Sequence, residues 1–341
     1  MSKSRPNMRD VADAANVSAT TVWLVIHDKP GVNPDTARKV WSAIADLGYT
    51  IKSDSNGTQA ESVGLLIEEN SIPAISDVFY GDIIRGFQSE AERFGYHVVL
   101  SMFDRTTQSY DILKSGFAQK VSGFVVANDG DITPDTVMHL RLPNIPVVLV
   151  ESHIDGQAFP CVLGDNFMAG YQVTRHLLQL GHRNIGILRG PVKYSSLVDR
   201  LRGCLAALAE AGILVPHPWM PEPVSGHPLK GYLQMKDILA LDDQPTAVIA
   251  ISDKTAFGAM EAIREAGLQI PADISIASID NTHESGYARP PLTTVHIPKY
   301  EIGVLAMRQL HRLISEEDTI PVKSLVYSQL IVRESAAPPR S

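Results

Sequence analysis

Between residues 7 and 47 the apolar positions recur at every third or fourth residue; after residue 63 they gather into short unbroken runs. The first pattern is that of helices with one buried face. Met8, Val11, Ala12 and Ala15 make one stripe, Val22, Val25 and Ile26 a second, and Val40, Ile44 and Leu47 a third. The punctuation agrees with three short helices. Asn7 is a good N-cap, and Asp10 three residues on sits near the positive helix end. Asn16 suits the left-handed conformation of a tight turn. Ser18 can cap a helix from Ala19 to Ile26, and Lys29-Pro30-Gly31 breaks the chain. Asn33-Pro34-Asp35 opens the third helix with a cap, a proline in its first turn and an acid. Gly48 ends it.

Residues 51–62 carry no large apolar side chain between Ile51 and Val63 and read as a polar linker. Beyond it, apolar runs predict strands at Val63–Ile67, His97–Leu100, Gly123–Val126, Pro146–Val150, Ile185–Leu188, Ala247–Ala250 and Ile274–Ile279. Amphipathic stretches predict helices at Tyr80–Phe94, Tyr110–Gln119, Asn166–Leu180, Ser195–Ala211, Leu229–Leu239 and Lys254–Ala266. Continuous apolar strands separated by helices mean parallel sheets covered on both faces. Two such sets predict two lobes.

The composition fits this organisation. The chain has 341 residues, too many for one compact core and suited to a small head on a bilobed body. Hydrophobic residues make up 44% and charged residues 20%, an ordinary globular balance. No apolar run approaches the roughly 18 residues that span a bilayer, and the polar N-terminus lacks a signal peptide's apolar stretch. Cys161 and Cys204 stand alone in apolar segments and are expected as buried free thiols, in keeping with a reducing cytoplasm. Net charge is −8. Residues 1–55 hold seven basic side chains (Lys3, Arg5, Arg9, Lys29, Arg38, Lys39, Lys52) and six acidic ones (Asp10, Asp13, Asp28, Asp35, Asp46, Asp54), giving +1 and leaving −9 for the rest. A mildly positive head on an acidic body is compatible with nucleic acid at one end only.

Signatures of enzymes are missing. No Gly-x-Gly-x-x-Gly follows the first strand, and there is neither a phosphate-binding loop nor a nucleophile elbow. The eleven histidines show no metal-ligand spacing. No catalytic residue, cofactor or metal is expected.

Several motifs stand in a recognisable order: Asp10-Val11-Ala12, Ala15-Asn16-Val17-Ser18, Thr20-Thr21-Val22, Asp28-Lys29-Pro30-Gly31-Val32, Thr36-Ala37-Arg38-Lys39-Val40 and Leu47-Gly48-Tyr49. With these the chain resembles the lac-repressor/galactose-repressor family of bacterial transcription regulators. The resemblance continues through Gly181-His182-Arg183-Asn184-Ile185-Gly186, Asp199-Arg200-Leu201-Arg202-Gly203, Ser252-Asp253, Pro271-Ala272-Asp273-Ile274-Ser275 and Pro291-Leu292-Thr293-Thr294. It implies a small all-α helix-turn-helix head plus an α/β periplasmic-binding-protein-like body of two doubly wound parallel-sheet lobes. The implied divisions are a head at 1–50, a linker at 51–62, a body at 63–334 and a tail at 335–341. Lobe 1 is expected at about 63–163 and 293–323, lobe 2 at about 164–292 and 324–334.

By the same resemblance the second helix lies in the major groove and reads base edges while the first crosses the backbone. The DNA-facing set is then Ser18, Ala19, Thr20, Thr21, Trp23, Leu24, His27 and Arg38. Thr20 and Leu24 are placed on bases; Thr21, His27 and Arg38 lie nearer phosphate, and Trp23 is open to packing or base contact. The chain departs from the family in carrying Trp23-Leu24 where a Ser-Arg pair is common. The linker also lacks the Pro-Asn pair and the leucine that wedges into the minor groove, so the head is expected to be tethered more loosely than usual.

For the body the resemblance implies a sugar-like effector held between the lobes, at the carboxyl ends of the strands. Arg200 and Asp280 lead the candidates, followed by Asp165 and Ser252, with Phe79 or Tyr80 as an apolar wall. A guanidinium with one or two carboxylates grips adjacent hydroxyls. Capping accounts equally well for Asp165 and Asp253. A homodimer on a palindromic double-stranded operator is implied, since one short helix reads too few bases. The helix from Tyr80 and the one containing Phe257 are its expected dimer elements. A solute-binding protein without DNA activity is the competing reading.

Overall fold

The structure, a computed structural model, describes residues 7–26, 32–47, 61–68, 78–103, 121–127, 145–154, 156–192, 194–223, 229–316 and 320–340. The helix expected at Tyr110–Gln119, His27 and the linker up to residue 60 lie outside the described residues, as do the side chains of Arg38 and Phe79. The chain divides into two compact units, Met1–Gln59 and Ala60–Ser341.

The first unit contains α1 (Met8–Ala15), α2 (Ala19–Ile26) and α3 (Pro34–Leu47). Asn7 caps α1 in a full capping box: its side chain accepts from the Arg9 and Asp10 amides, and Asp10 accepts from the Asn7 amide at 2.7 Å. Asn16 closes α1 with φ 54° and ψ 50°, the left-handed geometry that a residue other than glycine adopts at a tight turn. The chain therefore reverses after one residue, and the Val17 amide bonds back to the Ala12 carbonyl. Val11, Ala12, Ala15, Val22, Val25, Val40, Ala43 and Ile44 form the core of this unit; all but Ala43 are positions that the helical spacing predicts.

The second unit contains two sheets. Among the described residues the first has six strands: β1 (Ser62–Glu68), β2 (His97–Phe103), β3 (Phe124–Ala127), β4 (Val147–Val150), β5 (Cys161–Gly164) and β10 (Lys323–Val326). Their spatial order is β10-β5-β4-β3-β1-β2, and every pair is parallel. The second sheet runs β11-β9-β8-β7-β6, from β6 (Ile185–Leu188), β7 (Ala247–Ala250), β8 (Ser275–Asp280), β9 (Thr293–His296) and β11 (Gln329–Ile331). It is parallel except for the antiparallel edge strand β11.

Helices α4 (Val78–Arg93) and α9 (Lys299–Ser315) pack together on one face of the first sheet, burying Ile83, Phe87, Ile302, Ala306 and Leu310. Helices α5 (Asn166–Gln179) and α6 (Ser195–Glu210) form a close pair on one face of the second sheet. Helices α7 (Leu229–Leu239) and α8 (Asp253–Glu265) cover its other face with Met235, Ile238, Ala259 and Ile263. Each large apolar side chain removed from water on these faces contributes on the order of 1.5–3 kcal/mol. Cys161 and Cys204 are buried free thiols, as expected, and burial pushes the Cys204 thiol up to about 11.

The chain passes between the sheets after β5, after β9 and after β10. The return to the first lobe expected near Thr293 comes only after His296, because β9 pairs along its whole length with β8. Likewise β10 stays with the first sheet through Val326, paired to β5, so the second lobe resumes at β11 rather than at residue 324.

Candidate functional site

On the first unit, α2 presents one face to the core and one outward. Val22 and Val25 are buried; Ser18, Ala19 and Thr20 are exposed, Trp23 is 36% exposed, and Thr21 and Leu24 are half-buried. The local cap fixes this orientation. The Thr21 amide donates to Ser18 Oγ at 3.0 Å, and the two hydroxyls lie 2.8 Å apart. Ser18 and Thr21 thus hold the start of the helix and leave the outward face to Ala19, Thr20, Trp23 and Leu24.

In the second unit a polar cluster forms where the strands end. Arg200, in the middle of α6, is 2% exposed. Its Nε donates to Asn166 Oδ1 at 2.8 Å, and its Nη1 donates to the Ile251 carbonyl, just past β7, at 3.0 Å. The same Nη1 lies 2.8 Å from Asp280 Oδ1 at the end of β8. This last pair is an ion pair without an aligned hydrogen bond: Asp280 Oδ1 is buried and accepts none among the described residues. Asp280 has φ 131° and Asn281 φ 51°, so β8 ends in backbone that L-residues rarely adopt. Buried Lys299, at the start of α9, donates from Nζ to the Asp280 carbonyl at 2.5 Å.

Asn166 extends the cluster to the first sheet. Its Nδ2 donates to Glu151 Oε2 at 3.2 Å, and Glu151 Oε1 accepts from the Gly164 amide at 2.6 Å. Glu151 follows β4 directly, with φ 53°. Burial pushes its carboxyl up, against the Gly164 amide, the Arg200 charge and Asn166. A polar chain therefore runs from the end of β4, through the first turn of α5, to α6 and the end of β8.

Asp253 lies beside it and plays another part. It accepts from Ser278 at 2.5 Å, from Thr294 at 2.7 Å and from the Thr282 amide at 2.7 Å. It thereby holds the turn that follows Asp280. Burial first, and then the charge of Asp280, push it up to about 6 against these three bonds.

The sequence-derived candidates separate on this geometry. Arg200 and Asp280 come together. Asp165 caps α5 through the Met168 amide at 3.0 Å, and Ser252 caps α8 through the Thr255 amide at 3.3 Å. The cap expected of Asp253 is supplied by its neighbour. Tyr80 is buried in the core with Ile83 and Phe87. Glu151, Asn166 and Lys299 are additions: in the sequence Glu151 and Asn166 look like an ordinary strand end and helix start, and Lys299 opens a helix, α9, that is not among those the apolar pattern predicts. A cleft of about 90 Å³ lined by Glu151, His153, Asn166, Ser195, Asp199 and Lys323, among others, adjoins the cluster but reaches neither Arg200 nor Asp280. It is well below the roughly 300 Å³ at which ligand clefts begin, so the cluster rather than this cleft defines the candidate site. Among the described residues no group of side chains is arranged to hold a metal ion, and no helix is long and apolar enough to cross a membrane.

A capped three-helix head and a two-sheet body with a charged cluster at its strand ends define a DNA-reading regulator built around a ligand-binding module. Comparison with known proteins names the class more closely. The family profile described as bacterial regulatory proteins, lacI family, matches residues 7–51, and a periplasmic binding protein-like domain matches residues 174–336. The HTH-type transcriptional repressor PurR of Escherichia fergusonii is 33% identical over 337 residues, covering 97% of this chain and 96% of that protein. The PurR of Actinobacillus pleuropneumoniae is 30% identical over 333 residues, covering 96% and 97%. Among solved structures, the transcriptional regulator CelR–cellobiose complex superposes with a TM-score of 0.74 at 28% identity, over 97% of this chain and all of that one. The lac repressor dimer bound to operator and the anti-inducer ONPF gives 0.72 at 26% identity, over 97% and 99%. The chain belongs to the lacI family of bacterial regulatory proteins. It is a DNA-binding transcriptional regulator under effector control.

Proposed function

We propose that this chain acts as a repressor, a homodimer reading a palindromic operator through α2 of each head, and that a small sugar-like effector bound between the two lobes sets its affinity. The observation that carries the effector site is Asp280. Its carboxylate is buried beside Arg200, its backbone is strained, and its Oδ1 accepts no hydrogen bond among the described residues. Strain and an unsatisfied acceptor are tolerated where a ligand completes the site. A hydroxyl donating to Oδ1 would do so, in a site where the Arg200 guanidinium already lies 2.8 Å from the same oxygen. The relatives support a sugar: one solved structure holds cellobiose, and a regulator from Enterococcus faecium, 25% identical with a TM-score of 0.70, holds ribose.

Dimerisation follows from the size of the reading element, since an eight-residue helix spans too few base pairs to be selective alone. Helices α4 and α8 are the proposed dimer elements. Control of DNA binding then requires that the effector favour one state of the body over another, because a ligand of equal affinity for both shifts nothing.

A thermal-shift screen over sugars, nucleosides and related metabolites tests the site. A true effector at about 100 times its Kd stabilises the protein by roughly 2.7 kcal/mol. The same compound should change operator affinity in a fluorescence-anisotropy titration. A compound that raises the melting point of the Asp280→Asn variant as much as that of the parent would sink this assignment.

A further inference from the structure

We infer that the operator half-site presents thymines where α2 enters the major groove, and that the protein reads them through their methyl groups rather than by contacts to guanine. The inference rests on the DNA-binding reading above and concerns what that surface can recognise.

Helix α2, Ala19–Ile26, contains no charged and no amide side chain. Its buried side is spent on the head core through Val22 and Val25. The hydroxyls of Ser18 and Thr21 lie 2.8 Å apart, and Ser18 also takes the Thr21 amide, so both are engaged in capping. What faces outward is the Ala19 methyl, the Thr20 methyl and hydroxyl, the Trp23 indole and the edge of Leu24.

Guanine is read by arginine or lysine gripping O6 and N7, and adenine by an asparagine or glutamine amide gripping N6 and N7. Neither tool exists on this helix. Thymine, by contrast, presents an apolar group in the major groove, and an alanine or threonine methyl or a leucine side chain packs against it. Placing Leu24 against a wet polar base edge would strip water from that edge with no hydrogen bond in return. Placing it against a methyl removes apolar surface on both sides. From Ala19 to Leu24 the helix advances roughly 7.5 Å, about two base steps at 3.4 Å. The methyl-reading patch therefore covers two to three adjacent pairs in each half-site.

The test uses the full chain. Half-sites are selected from a random palindromic duplex library, and each selected thymine is then replaced by deoxyuridine, which differs only in lacking the methyl. We expect at least two adjacent positions per half-site at which this weakens binding by roughly three- to fivefold. Leu24→Arg is expected to exchange one of these positions for a G·C pair. Selected half-sites in which guanine contacts dominate, or thymines whose replacement by deoxyuridine changes nothing, would overturn the inference while leaving DNA binding intact. Failure to enrich any duplex would overturn the DNA-binding reading itself, and the inference with it.

Discussion

Gly170 of α5 faces the backbone carbonyl of Arg200 in α6 so closely that a methyl group on its Cα would overlap that carbonyl. Gly203 of α6 stands in the same relation to the Phe167 carbonyl of α5. The two glycines let the helices approach backbone to backbone, and this approach brings the Arg200 guanidinium to Asn166 in the first turn of α5. Close helix packing thus helps set where the cation of the candidate site lies.

Gly170→Ala should therefore act at a distance on binding. The added methyl forces α5 and α6 apart, and overpacking of this kind costs about 1–3 kcal/mol. Urea denaturation should show the lower midpoint, and calorimetry the weakened effector affinity. An unchanged midpoint would mean that the helix pair is more compliant than its backbone contact implies.

Arg200→Met leaves the Asp280 carboxylate buried without its cation and strips Asn166 and the Ile251 carbonyl of their donor. Breaking one side of such a pair costs about 3–5 kcal/mol. Combining it with Asp280→Leu should restore much of the loss, because replacing both charges by apolar groups removes the uncompensated burial. Chemical denaturation of the two single variants and the double gives the coupling directly. Effector binding is expected to be lost in all three.

Asp253 predicts a pH dependence of definite sign. Its folded value is about 6 against an ordinary 3.8, so the folded protein binds the proton more tightly than the unfolded chain does. Its contribution to stability is fully present below pH 4, declines as pH rises from there through 6, and stays at its lower level above. Other carboxylates titrate in the same range, so the comparison is with Asp253→Asn. Stability of the parent relative to the variant should fall between pH 4 and 6 and level off above. A parent-minus-variant difference that rises across this window would contradict the assignment.

Ser18→Ala removes the cap of α2. The expected cost is about 1 kcal/mol, confined to the head. Amide exchange at Thr21, whose N–H donates to Ser18 Oγ, should quicken, while amides of β7 and β8 in the body stay protected. Operator affinity should fall with the ordering of α2. Equal loss of protection in the body would show that the effect is not local.

Much of the architecture was written in local patterns. Strands β6 and β7 and helix α7 have the ends that their apolar runs predict, and α5 ends one residue earlier, at Gln179. Among the described side chains the head core holds Val11, Ala12, Ala15, Val22, Val25, Val40 and Ile44 from the expected apolar positions, joined by Ala43, with Met8 packed against it. These features were legible because periodicity, caps and turn residues act within a few positions of one another. Helix α9 shows the limit of that reading: Ile302, Ala306, Met307 and Leu310 repeat at helical spacing, yet the expected elements include no helix there.

The sequence by itself thus determined a helical head, alternating strands and helices in the body, and Arg200 and Asp280 as leading candidates. The tertiary structure alone decided that β9 belongs to the second sheet, that β11 closes it antiparallel, and that Glu151, Asn166, Arg200 and Asp280 form one buried cluster. The physical reason is that hydrophobic pattern and capping chemistry are short-ranged, whereas sheet partnership and buried polar contacts are settled by which distant segments pack together. In the sequence Glu151 and Asn166 look like ordinary termini of a strand and a helix. Asn166 joins Arg200 only because Gly170 and Gly203 let α5 and α6 meet, and Glu151 joins them only because β4 ends beside the first turn of α5.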